Sequence, residues 1–261
     1  MKIGAMQSIL RVGDASAAIE RAAEWGFEAI ELICKSKPNG EPLPWDDEEK
    51  RAIREALRKT GIWLSSFCIG SFNRCGLVDP GPVGMERIRE SLKEITRVAE
   101  ELGAGVILVP FFGRNAIKDE DDRNRVIEGV SEAAPIAEEC EVILALEMTA
   151  SADMMRGIVE RIDSPFVKLY YDVGNMRGAG FDNASVLREL GKLVAAVHIK
   201  DRPLGGPNVP LGEGDVDFES VRDALKEIGY DRSLILETPA GQDPEVEAKR
   251  NLSFVKGIWK P

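Results

Sequence analysis

Eight times along this 261-residue chain, a short continuous apolar run is followed by a segment with helical spacing of its apolar residues. The runs are KIGAM, EAIELI, IWLSSFCI, GVILVPF, VILALEM, VKLYYDV, LVAAVHIK and SLILET. Uninterrupted apolar runs of this length mark strands buried on both faces, as in a parallel sheet covered by helices. The intervening segments place apolar residues three and four apart and charges on the opposite face. In DASAAIERAAEWG, Asp14 reads as the N-cap and Gly26 as the residue just past the helix end. Pro135, inside DEDDRNRVIEGVSEAAPIAEEC, predicts a kink. Eight strand–helix units in this length predict a closed, single-domain (β/α)8 TIM barrel over residues 1–261. An open doubly wound sheet is the competing arrangement, but neither GxGxxG nor GxxxxGK[ST] follows any of the runs. The one long irregular stretch is PLGGPNVPLGEGD, Pro203 to Asp215, after the seventh strand. A loop of that length in a compact domain is either a functional cover or a Gly-rich turn of the chain.

Charge narrows the partners. The chain has 45 acidic and 34 basic side chains, a net charge of −11. Such a field repels nucleic acid and anionic membrane, leaving a small molecule as the expected partner and homo-oligomers open. No run approaches the roughly 20 apolar residues of a membrane span. The start, MKIGAMQSIL, lacks the apolar core of a signal peptide, so a cytoplasmic location is expected. Cys34, Cys68, Cys75 and Cys140 are scattered and form no CxxC pair, which predicts buried, reduced thiols.

In a barrel of this kind, chemistry collects where strands end and the following loops begin. The fifth strand ends at Glu147, the sixth at Asp172, the seventh at His198 and the eighth at Glu237. Each alone has an ordinary reading: a solvated glutamate, a helix-capping aspartate, a structural histidine. Together they put three carboxylates and the chain's only histidine at one mouth. Carboxylates so crowded repel one another, and no lysine or arginine is expected beside them within the strand bodies. A divalent cation offsets that charge. The oxygen-rich donor set favours Mn²⁺, with Mg²⁺, Co²⁺ and Zn²⁺ as alternatives.

With those residues in view, the chain resembles the xylose-isomerase-like TIM barrels of sugar and sugar-phosphate isomerases and epimerases. The resemblance spans the whole chain and is sharpest in LALEMT, YYDVGN, VHIKDR, VPLGEGDVDF and LILETP. HIKD followed by PLGEGDVDF is similar to the ketose 3-epimerases and hexulose-phosphate isomerases of that family. The resemblance implies that Glu147, Asp172, His198 and Glu237 bind one divalent metal. It also implies that Glu147 and Glu237 form an acid/base pair moving a proton between sugar carbons through a metal-stabilised enediolate. One departure stands out: many ketose epimerases have histidine three residues after the aspartate, where this chain has Asn175. Arg202 takes the place of an arginine that contacts substrate oxygens.

Around this set, Glu31 at the end of the second strand is either a substrate-hydroxyl contact or a surface residue. Lys200 and Arg202 either meet a phosphate or form a solvated turn. Phe67, Phe111 and Phe112 are expected mainly in the core. On the same scaffold, a hydroxypyruvate isomerase or an inosose-type dehydratase is an alternative. So, from another class, is a non-catalytic sugar- or metal-binding protein. An endonuclease IV-like enzyme would need several histidines for a multi-zinc site, and this chain has one.

Overall fold

Residues 1–259 are described by a computed structural model. The eight apolar runs form β1 (Ile3–Met6), β2 (Ala29–Ile33), β5 (Trp63–Cys68), β6 (Val106–Pro110), β7 (Ile143–Glu147), β8 (Val167–Asp172), β9 (Val194–Ile199) and β10 (Leu234–Leu236). They pair in parallel and close in the order β1-β10-β9-β8-β7-β6-β5-β2, a (β/α)8 TIM barrel. The expected domain 1–261 runs into residues 260–261, which lie outside the described residues. A small antiparallel hairpin, β3 (Lys35–Ser36) with β4 (Pro42–Leu43), follows β2 and was not predicted from the sequence.

The helices are α1 (Ala15–Glu24), α2 (Asp47–Thr60), α3 (Met85–Leu102), α4 (Glu120–Glu139), α5 (Ala152–Ile162), α6 (Val173–Gly178), α7 (Asn183–Leu190), α8 (Phe218–Glu227) and α9 (Pro244–Trp259). Their starts are set by side chains that accept orphan backbone N–H groups: Asp14 for α1, Asp46 for α2, Asp119 for α4, Ser151 for α5 and Asp217 for α8. Asp46 and Glu49 form a reciprocal capping box. α3 stops at Gly103, whose φ of +80° a side chain would disfavour. α4 continues through Pro135 as helix to Glu139.

Two separate apolar clusters result. The larger joins the outer faces of the strands to the helices. The smaller consists of strand residues such as Ala29, Leu108, Ala145, Tyr170, Ala196 and Ile235, and fills the barrel interior. Strand side chains alternate faces, so residues two apart share a side. Continuing each interior series upward gives Glu31 after Ala29, Glu147 after Ala145, Asp172 after Tyr170, His198 and Lys200 after Ala196, and Glu237 after Ile235. The polar site is therefore the top layer of the interior packing. The four cysteines are buried and unpaired, as expected.

The loop from Pro203 to Asp215 is tied down rather than loose. Asp201, fully buried, accepts hydrogen bonds from the backbone N–H of Gly212 and Gly214 at 2.9 Å each and of Val216 at 3.2 Å. A Cβ at Gly214 would lie 2.2 Å from Asp201 Oδ1, so glycine is needed there for close approach. Asp201→Ala leaves three inward-facing donors without their acceptor. A loss of about 3 kcal/mol or more is expected, read as a clear fall in Tm. An unchanged Tm would show that the loop does not depend on this carboxylate.

Candidate metal centre

Register brings the candidate ligands together. Asp172 on β8 pairs laterally with His198 on β9, and His198 pairs with Ile235 on β10. The backbone N–H of Glu237 continues that ladder by donating to the Ile199 carbonyl at 3.1 Å. Glu147 ends β7 beside Pro110 of β6. One donor atom from each of Glu147, Asp172, His198 and Glu237 falls within 4.8 Å of the other three. Three of these residues are buried, and Glu237 is the most exposed, at 27% of its side chain.

The two oxygens of Asp172 have different tasks. Oδ1 accepts from the Asn175 backbone N–H at 2.8 Å and caps α6. Oδ2 is buried and accepts from no backbone group, lying 2.8 Å from Lys200 Nζ, and the buried His198 Nδ1 lies 3.0 Å from Glu237 Oε2. Helix capping and ligation, competing readings in the sequence, are thus divided between two atoms of one side chain. With its proton on Nε2, the imidazole presents Nδ1 to the Glu237 carboxylate as acceptor to acceptor, and this contact within a cluster of carboxylates fits a divalent cation with mixed O/N donors.

Glu31 explains which imidazole nitrogen faces the cluster. His198 Nε2 lies 2.9 Å from Glu31 Oε1, and Ser66 donates to Glu31 Oε2 at 2.7 Å. A carboxylate on Nε2 holds the proton there and leaves Nδ1 for the other side of the ring. This corrects the alternative expectation that Glu31 sits at the surface. It is fully buried behind the histidine, because its even spacing from Ala29 turns it into the barrel. Tyr170 packs against the imidazole at a tilt of 52°, ring centres 4.4 Å apart, and belongs to the interior layer below.

Lys200 is the second correction. It is buried, with Nζ 2.8 Å from Asp172 Oδ2 and 2.7 Å from Glu237 Oε2. The carboxylates therefore do have a cation beside them, one residue beyond the end of β9. Lys200 is not the solvated turn of the alternative reading; its two-residue spacing from His198 was the signal.

The electrostatics follow from burial and these charges. Burial favours the neutral form of Glu147 and raises its carboxyl to about 7, against the pull of His198. Burial pushes Glu237 the same way, but Lys200 and His198 outweigh it and hold its carboxyl at about 2. Burial disfavours charge on His198, yet Glu31 and Glu237 raise its proton affinity well above the usual imidazole range. The layer as a whole attracts positive charge.

The remaining candidates lie to one side. Arg202 donates to Asn175 Oδ1 at 3.0 Å and to the Gly206 carbonyl at 2.7 and 3.0 Å. Arg202 and Asn175 thus form a pair at the rim, linking α6 to the tied loop. Phe67 and Phe111 are core, Phe67 against Trp45 at 4.6 Å, and Phe112 is half-buried.

Comparison with known proteins places the fold and the site in context. The family model described as "Xylose isomerase-like TIM barrel" matches residues 19–258. The chain belongs to this family. Among curated members of similar sequence is the L-ribulose-5-phosphate 3-epimerase UlaE of Escherichia coli K12. It is 27% identical over 248 residues, which cover 91% of this chain and 87% of that one. Among solved structures, D-psicose 3-epimerase from Clostridium cellulolyticum H10 with D-tagatose superposes with a TM-score of 0.82 over 100% of both chains, at 21% identity. A xylose isomerase domain protein from Planctomyces limnophilus gives 0.79 at 20% identity, over 99% of this chain and 97% of the other. At these identities the structural likeness shows the xylose isomerase-like barrel and no more.

Proposed function

We propose that this member of the xylose isomerase-like family is a divalent-metal-dependent epimerase or isomerase of a sugar or sugar phosphate. The convergence of Glu147, Asp172, His198 and Glu237 at one barrel mouth carries the reading. Similarity to an L-ribulose-5-phosphate 3-epimerase supports the substrate class. We assign the four residues as ligands of one ion and favour Mn²⁺ for its match to three carboxylates and an imidazole. When bound, the ion would supply a Lewis acid that withdraws charge from a substrate carbonyl and its neighbouring hydroxyl.

The chain's own groups do the rest. Glu147 and Glu237 stand on strands separated by β8 and β9, and so approach a substrate at the mouth from two directions. One carboxylate takes the weakly acidic proton beside the carbonyl, and the other returns a proton. Return at the same carbon from the other face inverts it; return at the neighbouring carbon exchanges aldose for ketose. Asp172 is held by α6, and His198 by Glu31, so neither needs to reorganise. Lys200 neutralises part of the carboxylate charge. Arg202 and Asn175 form the polar rim to which substrate oxygens are assigned. Buried free thiols are in keeping with a reducing, cytoplasmic setting.

The test is a panel of free and phosphorylated ketoses in D₂O with Mn²⁺, read by carbon-bound deuterium. Deuterium entering one position of one substrate, and ceasing on chelation, is the expected result. Tight sugar binding without exchange across the panel would instead mark a non-catalytic binding protein.

A further inference from the structure

The opposite, N-terminal mouth of the barrel is not filled. Barrel interiors are normally packed with bulky branched side chains in layers. Here the small residues Ser65, Gly105, Ala195 and Ala196 line a cavity of about 400 Å³. Its lining is mainly apolar, with Val106 and Tyr230 in the wall and Trp63, half exposed at 53%, on the rim. A second cavity of about 260 Å³ adjoins it and shares the wall segment Tyr230–Arg232. A ligand pocket usually occupies about 300–1,000 Å³.

The charge around these cavities runs against that of the protein. Lys2 and Arg232 line the larger; Lys168, Lys192 and Arg232 line the smaller. Among the described residues, Asp231 is the only acid lining either. That is four cations to one carboxylate, in a chain with 34 cations to 45 acids. Lys168 Nζ donates to the Lys192 carbonyl at 3.5 Å, and no ion pair joins any of the four to a carboxylate among the described residues. Lys168 instead has Arg232 and Lys192 as like-charged neighbours, which add to its partial burial in lowering its proton affinity. Like charges gathered at a hollow, with one carboxylate among four cations, are stabilised by an anion supplied from outside.

We propose that the N-terminal mouth is a second binding site, for a small organic anion. Its apolar body lies under the barrel beside Val106 and Trp63, and its carboxylate, sulfonate or phosphate head lies against Arg232, Lys168 and Lys192. The site is independent of the epimerase reading, since it shares no residue with the opposite mouth. Occupancy would also brace β9 from below, because Ala195 and Ala196 form part of the floor.

The probe is 1-anilinonaphthalene-8-sulfonate, an aromatic body with one anionic head. Its fluorescence is titrated against the folded protein, with inorganic phosphate and 1-naphthol as head-only and body-only competitors. One site per chain is expected. Arg232→Glu with Lys168→Glu should weaken it by roughly tenfold or more, the loss of a hydrogen bond to a charged group. Ala196→Leu, filling the cavity, should weaken it without changing charge. Lys93→Glu, a charge reversal midway along α3 at a residue that lines neither cavity, should change nothing. Failure of the probe to bind, or binding left intact by the double charge reversal, overturns the proposal. Should Ala196→Leu misfold, the charge-reversal pair, whose residues are exposed or half-exposed, still decides it.

Discussion

Glu147→Gln and Glu237→Gln, each assayed with the metal site saturated, are expected to lose about 10²–10⁴-fold in turnover, the typical contribution of a positioned acid or base. Glutamine preserves the side-chain length and one oxygen donor but cannot take or hold a proton. A ligand-only role predicts that extra metal restores turnover; an acid/base role predicts that it does not. Deuterium separates the two residues further. Without the base, no solvent deuterium enters the substrate. Without only the opposing acid, the remaining base still exchanges one carbon-bound proton while net epimerisation stops. One of the two variants is expected to behave in this second way. Near wild-type turnover in both metal-loaded variants would end the two-carboxylate mechanism and turn attention to Lys200, whose Nζ lies 2.7 Å from Glu237.

His198→Ala is expected to abolish high-affinity metal binding, since the chain has no other imidazole. Isothermal titration with Mn²⁺ reads this directly, and the stabilisation of the folded state by added metal should vanish with it. Glu31→Gln is the informative companion. It leaves all four proposed ligands in place and alters only the partner of His198 Nε2, 2.9 Å away. A fall of roughly 10–100-fold in metal affinity is expected from loss of such a support. Unchanged affinity in His198→Ala would make the histidine structural. Unchanged affinity in Glu31→Gln alone would leave the ligand set standing and remove the orienting role.

Much of the site was visible one residue at a time. Glu147, Asp172 and His198 close apolar runs, and Glu237 follows one directly. The strand ends could be found because buried parallel strands are continuous apolar stretches, and their ends are where polarity returns. Period-two spacing contained more than was taken from it. Glu31 is two residues past Ala29 and Lys200 two past His198, so both share the interior face. Glu31, read as a strand end, offers a substrate contact or a surface residue, and Lys200, read with Arg202, a phosphate contact or a solvated turn. The α6 turn and the β3–β4 hairpin are too short to leave an apolar period, and only tertiary contacts define them.

By itself, the sequence determined the number of units, the parallel barrel and the four strand-end residues that meet at one of its mouths. These are local properties: runs, caps and spacings that each segment states independently. Only the tertiary structure decided who touches whom across the barrel. Glu31 and His198 are 167 residues apart in sequence and 2.9 Å apart in space. Lys200 turns from a turn residue into the counter-charge of Asp172 and Glu237 because the fold buries it against both carboxylates. The hollow at the other mouth likewise depends on small residues from β5, β6 and β9 meeting around a volume that no single strand specifies.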